Sequence, residues 1–206
     1  MARWLGEAAV ADGLDAGLAV DGIWIIRRAT VTVERLPLVT EALELETWCS
    51  GVAKSVAERH TTIRAAGEPI AESEAIWVHV DPATRRPARL PARFHAVYDE
   101  SAAGRRPRTS LRHPADPPAD ADPLEWFFSA ADIDLAGHVN NTFYWRLAEE
   151  FLDLSAVGER PVTFEAEYRA GIGAGRAVVC RSESMLWVLD PSATLAATLS
   201  VAPGTH

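Results

Sequence analysis

The sequence is poor in cysteine and in metal-binding patterns. Its 206 residues include two cysteines, Cys49 and Cys180, and each lies inside a strand-like run. Neither belongs to a C-x-x-C pair or to another spacing typical of a metal site, so we expect two buried free thiols. The six histidines also lack a ligand spacing such as H-E-x-x-H. We therefore expect no metal and no other cofactor.

Long apolar runs are missing too. No stretch approaches the roughly 20 consecutive apolar residues that a membrane-spanning helix needs, and residues 1–7 lack the basic-then-apolar order of a signal peptide. We expect no membrane span and a cytoplasmic location. Hydrophobic residues nevertheless make up 48% of the chain, which is enough to form a real core in one large or two small domains.

Positive charge is scarce in the chain as a whole, whose formal net charge is −9. This balance argues against nucleic-acid binding, which needs a basic footprint. Residues 85–112 are an exception, because they contain eight arginines and only two acidic residues. Such a patch could steer an acidic partner, with Arg105, Arg106 and Arg108 as the docking residues. The alternative is a solvated and partly disordered linker.

Apolar periodicity predicts an α+β chain with two similar halves. The first half has the pattern of a helix at 2–18 and of strands at 23–34, 42–49, 54–63 and 72–80. The second half has the pattern of a strand at 124–129, a helix at 140–154 and strands at 162–169, 176–184, 185–189 and 194–201. Residues 81–97, between the halves, have turn residues and arginines, and we expect no regular element there.

A proline-rich stretch sets the division into domains. Residues 114–123 have too little apolar content to pack. We therefore place a linker at 100–123, between an N-terminal unit at 1–99 and a C-terminal unit at 124–206. The first unit begins inside its helix and lacks the opening strand of the second. Either the true start lies upstream of Met1, or the fold tolerates the loss and leaves a strand edge exposed.

The richest stretch in chemical groups is D-I-D-L-A-G-H-V-N-N at 132–141, directly before the second helix. Gly137 can take a positive φ and allow a sharp turn, and an asparagine is a preferred helix N-cap. Asp134 and His138 are thereby brought to a helix N-terminus, where unpaired N–H groups suit a developing oxyanion. The alternative is purely structural, with Asp134 and Asn140 as turn and capping residues.

The order D-x-x-G-H-V-N-N-x-x-Y, from Asp134 to Tyr144, resembles the active-site signature of hotdog-fold thioesterases. Other stretches, in order and spacing, resemble the acyl-ACP thioesterases of plants and bacteria: W-I-I-R-R at 24–28, V-E-R-L-P at 33–37 with E-T-W at 46–48, A-I-W-V at 75–78, and T-R-R-P at 84–87 with L-P at 90–91. The resemblance covers nearly the whole chain. It implies a double hotdog, in which an antiparallel sheet wraps each of two helices and the sheets join edge to edge.

The same resemblance implies an enzyme of fatty acid biosynthesis that hydrolyses acyl-ACP, or acyl-CoA, to a free fatty acid. The partner is then acyl carrier protein or a CoA thioester, and the oligomeric state stays open, with a homodimer as one option. We assign Asp134 as nucleophile or general base. The other expected site residues are His138 and Asn140 as catalytic groups, the N–H groups of Val139 and Asn140 as the oxyanion hole, and Asn141, Tyr144, Trp48 and Trp77 as substrate-binding residues.

The chain departs from the acyl-ACP thioesterase pattern at three positions. Ala136 stands where family members have asparagine, and Gly171-Ile172 stand where they have a Glu-Cys pair. These losses favour a simpler mechanism centred on Asp134, and slower turnover. Gly171 lies in a glycine-rich turn, for which a positive φ is one explanation. The alternative function is a non-catalytic acyl-binding or interaction module on a hotdog scaffold.

Overall fold

The computed structural model describes residues 1–18 and 22–204. The first half contains α1 (Ala2–Asp15), β1 (Ile23–Val33), β2 (Leu43–Val52), β3 (Val56–Ala65), β4 (Glu68–Val80) and α2 (Ala92–Ala102). The second half contains β5 (Asp122–Phe128), a 3₁₀ turn (Ala130–Asp132), α3 (Asn141–Phe151), β6 (Val162–Tyr168), β7 (Gly175–Arg181), β8 (Met185–Leu189) and β9 (Leu195–Pro203). The chain is α+β, as the periodicity predicts. The predicted unit boundaries at 1–99 and 124–206 include residues 19–21 and 205–206, which lie outside the described residues.

All nine strands form one antiparallel sheet in the order β2-β3-β4-β1-β6-β9-β8-β7-β5. The two halves meet at β1 and β6, which pair from Arg28↔Glu167 to Val33↔Val162. Each half is therefore a helix with its own block of strands, and the blocks join edge to edge. The pairing places the loop before α3 near the strands of the first half.

The predicted strands agree with the observed ones apart from shifts of up to four residues at their ends. The largest shift is at β4, which begins at Glu68 and not at residue 72. Ala66 and Gly67 both have positive φ, at 52° and 85°. Such a two-residue turn matches the twist of a hairpin, so pairing starts directly at Ala65↔Glu68.

The helix α2 was not predicted, and the expectation of turns alone over 81–97 is wrong. Its buried residues are Phe94, Tyr98 and Ala102, which recur every four positions and form one stripe. The Phe94 ring packs against Trp24, with centroids 5.3 Å apart. Only three apolar positions lie in this stripe, among arginines and acidic residues, and the periodicity is correspondingly weak in the sequence.

The segment 103–121, which we name the strap, is packed on the sheet. The buried guanidinium of Arg28 donates to the carbonyl oxygens of Ser110 at 2.7 Å and Arg108 at 2.9 Å. The indole of Trp187 donates to the Pro114 carbonyl at 3.0 Å. The strap therefore packs on the sheet from Arg108 to Pro114, whereas residues 115–123 are mostly exposed. It packs through backbone carbonyls that accept bonds from buried side chains, and apolar content does not report such bonds.

The two long helices pack very differently. Tyr144, Leu147 and Ala148 of α3 are buried, whereas α1 has no buried residue. Leu5 of α1 and the N-cap residue Met1 pack against an apolar cluster on the strands and are only partly buried. α1 therefore lies over the sheet without filling the space beneath it. Within the part of the chain that the structure describes, no helix is long and apolar enough to cross a membrane.

In the second half, β5 precedes α3 and pairs with β7 at one end of the sheet. A counterpart of β5 in the first half would pair with the outer edge of β2, at the other end. Within residues 1–18 and 22–204 no strand precedes α1. Part of the edge is covered by groups at the end of α2 and directly after it. The Ser101 hydroxyl donates to the Cys49 carbonyl at 3.0 Å, and Arg105 Nε donates to the Ser50 carbonyl at 2.8 Å. The Val52 N–H donates to the Arg105 carbonyl at 2.9 Å. These bonds satisfy groups that an open edge would expose.

Both cysteines are free thiols on strands, as expected. Cys49 is buried, while Cys180 is only partly buried. Burial raises the pKa of the Cys49 thiol to about 11. A thiol that stays protonated at neutral pH is a weak nucleophile, so Cys49 acts as an apolar packing group.

His113 of the strap forms a titratable contact between the strap and the sheet. Its Nδ1 lies 2.9 Å from the Thr198 hydroxyl and its Nε2 lies 3.0 Å from the Ser200 hydroxyl. Desolvation lowers the pKa of His113, and the nearby Arg169 and Arg112 lower it further, against the opposing effect of Glu167 and Glu165. The neutral ring is therefore the form that the folded protein favours.

We predict that His113 makes the fold sensitive to acid. The pKa of this group is lower in the folded than in the unfolded state, so its stabilisation is present above the unfolded pKa of about 6.5 and decreases as pH falls below it. Urea unfolding of the wild type and of His113→Gln should show a steeper loss of unfolding free energy between pH 8 and pH 5.5 in the wild type. Identical pH dependence in the two proteins would contradict this assignment.

Candidate functional site

The loop that leads into α3 is anchored by Asp132. Its Oδ2 accepts hydrogen bonds from the Ser129 N–H at 2.7 Å and hydroxyl at 3.1 Å, a capping box around the 3₁₀ turn. Its Oδ1 lies 3.2 Å from Arg146 of α3. We did not assign a role to Asp132 from the sequence, although the S-x-x-D spacing is a capping signal. This buried carboxylate holds the start of the loop against the helix.

Asp134 lies at the turn of this loop and is exposed to the cleft described below. Its Oδ1 accepts from the N–H groups of Ala136 at 2.8 Å and His138 at 3.4 Å. Gly137, with φ of 80°, closes the turn. The second carboxylate oxygen, Oδ2, makes no hydrogen bond with the described residues. Asp134 therefore stabilises the turn through Oδ1, while Oδ2 has acceptor capacity for another group.

Asn140 is the N-cap of α3, since its Oδ1 accepts from the Thr142 N–H at 2.9 Å and hydroxyl at 2.8 Å. The Val139 N–H donates to the Ile172 carbonyl and the Asn140 N–H to the Asp132 carbonyl, both at 2.8 Å. In this structure neither of the two N–H groups expected to form the oxyanion hole is free. Each already has a backbone acceptor, and a second acceptor would have to break that bond.

Unlike the N–H groups of Val139 and Asn140, the N–H of Asn141 in the first turn of α3 has no backbone acceptor among the described residues. It is the first helical residue, and an N–H at that position has no acceptor within its own helix. No bond from this N–H to a described residue is present, whereas the Asn141 carbonyl accepts from the Tyr168 hydroxyl at 3.0 Å. That bond ties the start of α3 to β6. Asn141 also lines the cleft.

The ring of His138 occupies the space beside Gly171. A Cβ built on Gly171 would lie 2.6 Å from Cγ and 2.8 Å from Nδ1 of His138. Gly171 does not have a positive φ, so the conformational explanation considered from the sequence is wrong. A glycine here leaves room for the imidazole. His138 is exposed and is not among the residues that line the cleft.

A cleft of about 900 Å³ lies beneath α1, between the loop before α3 and the strands β1, β3 and β4. Four expected site residues line it together: Asp134, Asn140, Asn141 and Trp77. Most of the other wall is apolar and comes from α1 and β1. The cleft thus combines a carboxylate and a helix N-terminus from the second half with a long apolar surface from the first.

Two expected substrate-binding residues lie elsewhere. Trp48 stacks on His60 with centroids 4.5 Å apart. Successive strand residues face opposite sides, and the adjacent Thr47 is the residue that bonds to Thr61 in the cleft. Tyr144 is 2% exposed and packs in the core against Phe128 and Tyr168. Neither side chain lines the cleft, so the structure does not bring Trp48 and Tyr144 together with the other expected site residues.

A smaller cavity of about 220 Å³ continues from the cleft toward α2. Residues that border both spaces include Trp24, Arg59 and Trp77. Arg59 donates to Asp12 Oδ2 at 2.6 Å, and the Tyr98 hydroxyl donates to the same oxygen at 2.5 Å. Burial first, and then Asp12, raise the pKa of Tyr98 to about 12, so it stays a donor. We did not identify this group from the sequence, because its members lie on three separate elements.

One cluster has the residue types of a metal site. His113, Glu165 and Glu167 place ligand atoms within 4.8 Å of one another, on the strap side of the sheet. Arg112 lies 3.3 Å from Glu165 and Arg169 lies 3.1 Å from Glu167, and Arg28 is 3.9 Å from Glu165. Three guanidinium groups already balance the two carboxylates. The cluster does not fit a divalent cation, whose added charge would be repelled.

Sequence comparison identifies the two halves with two domains of one family. The profile of the acyl-ACP thioesterase N-terminal domain matches residues 15–98, and that of the C-terminal domain matches residues 122–193. An uncharacterised protein of Mycobacterium tuberculosis is 26% identical over 188 residues, which cover 89% of this chain and 73% of that protein. The chloroplastic oleoyl-acyl carrier protein thioesterase 2 of Arabidopsis thaliana is 26% identical over 170 residues, 70% of this chain and 46% of that protein.

Solved structures confirm the predicted double hotdog fold. An acyl-ACP thioesterase from Bacteroides thetaiotaomicron superposes with a TM-score of 0.76 at 19% identity, covering 97% of this chain and 86% of that one. The 12:0-ACP thioesterase from Umbellularia californica superposes with a TM-score of 0.75 at 20% identity, covering 98% and 88%. At these identities the likeness is one of fold.

We predict that Gly171 and His138 are energetically coupled. Gly171→Ala forces the imidazole out of its place and should destabilise the protein, whereas the same change in a His138→Ala background should cost little. The coupling should be about 1 kcal/mol, typical of residues in direct contact. Urea denaturation of the wild type, the two single variants and the double variant measures it. Equal losses in both backgrounds would show that the ring does not explain the glycine.

Proposed function

Because the chain belongs to the acyl-ACP thioesterase family, a family of thioester hydrolases, we propose that it hydrolyses fatty acyl-ACP to a free fatty acid at the cleft beside Asp134. One observation carries the proposal. Asp134 and the N-terminus of α3 lie at the wall of an apolar cleft of about 900 Å³. The cleft can hold an acyl chain, and its polar end can hold the thioester.

The chemistry requires a base or nucleophile and a stabilised oxyanion. In our proposal Asp134 Oδ1 is held by two N–H groups of its own loop, and Oδ2 takes a proton from water as the water oxygen attacks the thioester carbon. The carbon–sulfur bond then breaks, and the proton passes to the leaving thiolate. The carboxylate could also attack directly, and water would then hydrolyse the resulting anhydride.

The oxyanion is assigned to the Asn141 N–H in this proposal. The N–H groups of Val139 and Asn140 have backbone acceptors, so the first-turn N–H of Asn141 and the positive end of the α3 dipole take their place. Asn140 acts as the cap that fixes the helix start. His138 is exposed beside Gly171 and does not line the cleft, so the mechanism proposed here uses no group of its side chain.

Carrier docking is assigned to the strap. Arg106 and Arg108 are exposed, and neither side chain forms an ion pair with the described residues. Arg105 differs, because its guanidinium donates to the carbonyls of Ser50 and Ser101 at 2.8 and 2.6 Å. Of the three expected docking residues, Arg105 therefore supports the β2 edge, and Arg106 and Arg108 are the ones free to meet an acidic carrier. Acyl-CoA is the alternative substrate.

We predict that Asp134→Ala and Asp134→Asn lower the turnover number on acyl-ACP by about 10²-fold or more, since general base assistance is typically worth 10²–10⁴. Steady-state hydrolysis with far-UV circular dichroism as a fold check measures this. Asp153→Ala is the matched control, because Asp153 is an exposed aspartate that accepts from the Ser155 N–H at 2.9 Å in a similar local turn outside the cleft.

Two outcomes would count against this proposal. A rate within a few-fold of wild type in both Asp134 variants removes Asp134 from the mechanism. Binding of acyl-ACP by the wild type without any turnover favours the alternative of a non-catalytic acyl-binding module.

We predict that Arg106→Ala with Arg108→Ala lowers kcat/KM on acyl-ACP by several-fold and leaves kcat/KM on a small acyl thioester unchanged. The effect should decrease with added salt, since exposed charges act mainly on association. Arg176→Ala, an exposed arginine on β7 paired with Glu125, is the control. Equal losses on both substrates would exclude carrier docking at the strap.

A further inference from the structure

The floor of the cleft carries a row of polar side chains across three strands. Thr47 lies opposite Thr61 in the β2–β3 pairing, and Thr61 lies opposite Ser73 in the β3–β4 pairing. Thr61 is 3% exposed and Ser73 is 5% exposed, and both line the cleft. An acyl chain of methylene groups alone offers these hydroxyls no partner.

The hydrogen bonds within the row determine which hydroxyls can still donate or accept a bond from a ligand. The Thr47 hydroxyl donates to the His60 carbonyl at 3.1 Å and accepts from Arg59 at 3.1 Å. The Thr61 hydroxyl lies 2.9 Å from that of Thr47, and either can be the donor between them. With the Thr47 proton on the His60 carbonyl, Thr61 is the donor and keeps only acceptor capacity. No hydrogen bond between the Ser73 hydroxyl and a described residue is present, so this hydroxyl can both donate and accept.

The surroundings of the row are apolar on both sides. Toward the loop before α3, one side is formed by two cleft-lining residues of β1, Val31, which pairs with Ser73, and Ala29. Past Arg59 on the other side, the smaller cavity is lined mostly by apolar side chains, including Leu18, Cys49, Ala57 and Phe94. The polar row thus interrupts an otherwise apolar path. A ligand that matches this path has apolar segments at both ends and a polar group between them.

Resting on the proposed function, we propose that the acyl chain of the substrate carries a hydroxyl group on an internal carbon, held between Thr61 and Ser73. The substrate hydroxyl donates to Thr61 Oγ1 and accepts from the Ser73 hydroxyl. A ketone fits less well, because it cannot donate to Thr61. An unsubstituted chain expels water from the row and leaves the Ser73 hydroxyl unpaired, which costs free energy in a buried site.

The test compares acyl thioesters of one chain length, either unsubstituted or with a hydroxyl placed at successive internal carbons. In the wild type, kcat/KM for the best hydroxylated isomer should exceed that for the unsubstituted chain by about tenfold, as one or two net hydrogen bonds allow. Ser73→Ala and, independently, the isosteric Thr61→Val should bring this ratio close to one. The ratio should fall because the variants hydrolyse the hydroxyacyl thioester more slowly and the unsubstituted thioester faster than the wild type does.

Thr32→Val is the matched control, because the Thr32 hydroxyl bonds to Thr163 at 2.9 Å and its neighbour Val31 is the residue that faces the cleft. It should leave the ratio unchanged. If the unsubstituted chain is hydrolysed as fast as every hydroxylated isomer, and neither Ser73→Ala nor Thr61→Val alters the ratio, the inference is overturned while the proposed function stands. If no thioester of the panel is hydrolysed, the proposed function itself fails.

Discussion

The pairing of β1 with β6 is the contact on which the rest of this structure depends. It joins the strand blocks of the two halves into one sheet, and it brings the loop before α3 to the cleft whose floor is formed by β3 and β4. Asp134 and Asn141 come from the second half, whereas Thr61 and Ser73 come from the first. Neither half contains the candidate site by itself. The strap reinforces this seam, since Arg28 of β1 donates to its carbonyls.

The two halves differ in how their helices pack. α3 buries Tyr144 and Leu147 against its sheet, whereas no residue of α1 is fully buried and α1 covers the cleft. Close packing fixes a side chain to within a narrow range of positions, which suits the half that holds Asp134. The looser half provides room for a long apolar ligand. We interpret the asymmetry as a division between chemistry and binding.

Local signals in the sequence were enough to place the nine strands, the sharp turn at Gly137 and the N-cap Asn140. The predictions that the structure does not support concern groups whose contacts come from residues distant in the sequence. The N–H of Val139 is occupied by the carbonyl of Ile172, and the strap is held by side chains from β1, β6 and β8. The glycine-rich turn suggests a positive φ at Gly171, yet this glycine makes room for the ring of His138, 33 positions earlier in the chain. Such contacts become visible only when the fold is known.

In the proposed function, an acyl chain lies beneath α1 in the first half while its thioester is cleaved by the second. A crystal structure with a non-hydrolysable thioether analogue of an acyl-pantetheine would show whether this is so. We expect the sulfur beside Asp134 and the Asn141 N–H, and the chain over Thr61 and Ser73 toward the cavity near Phe94. A chain seated between α3 and its own strands, or a sulfur away from Asp134, would contradict it.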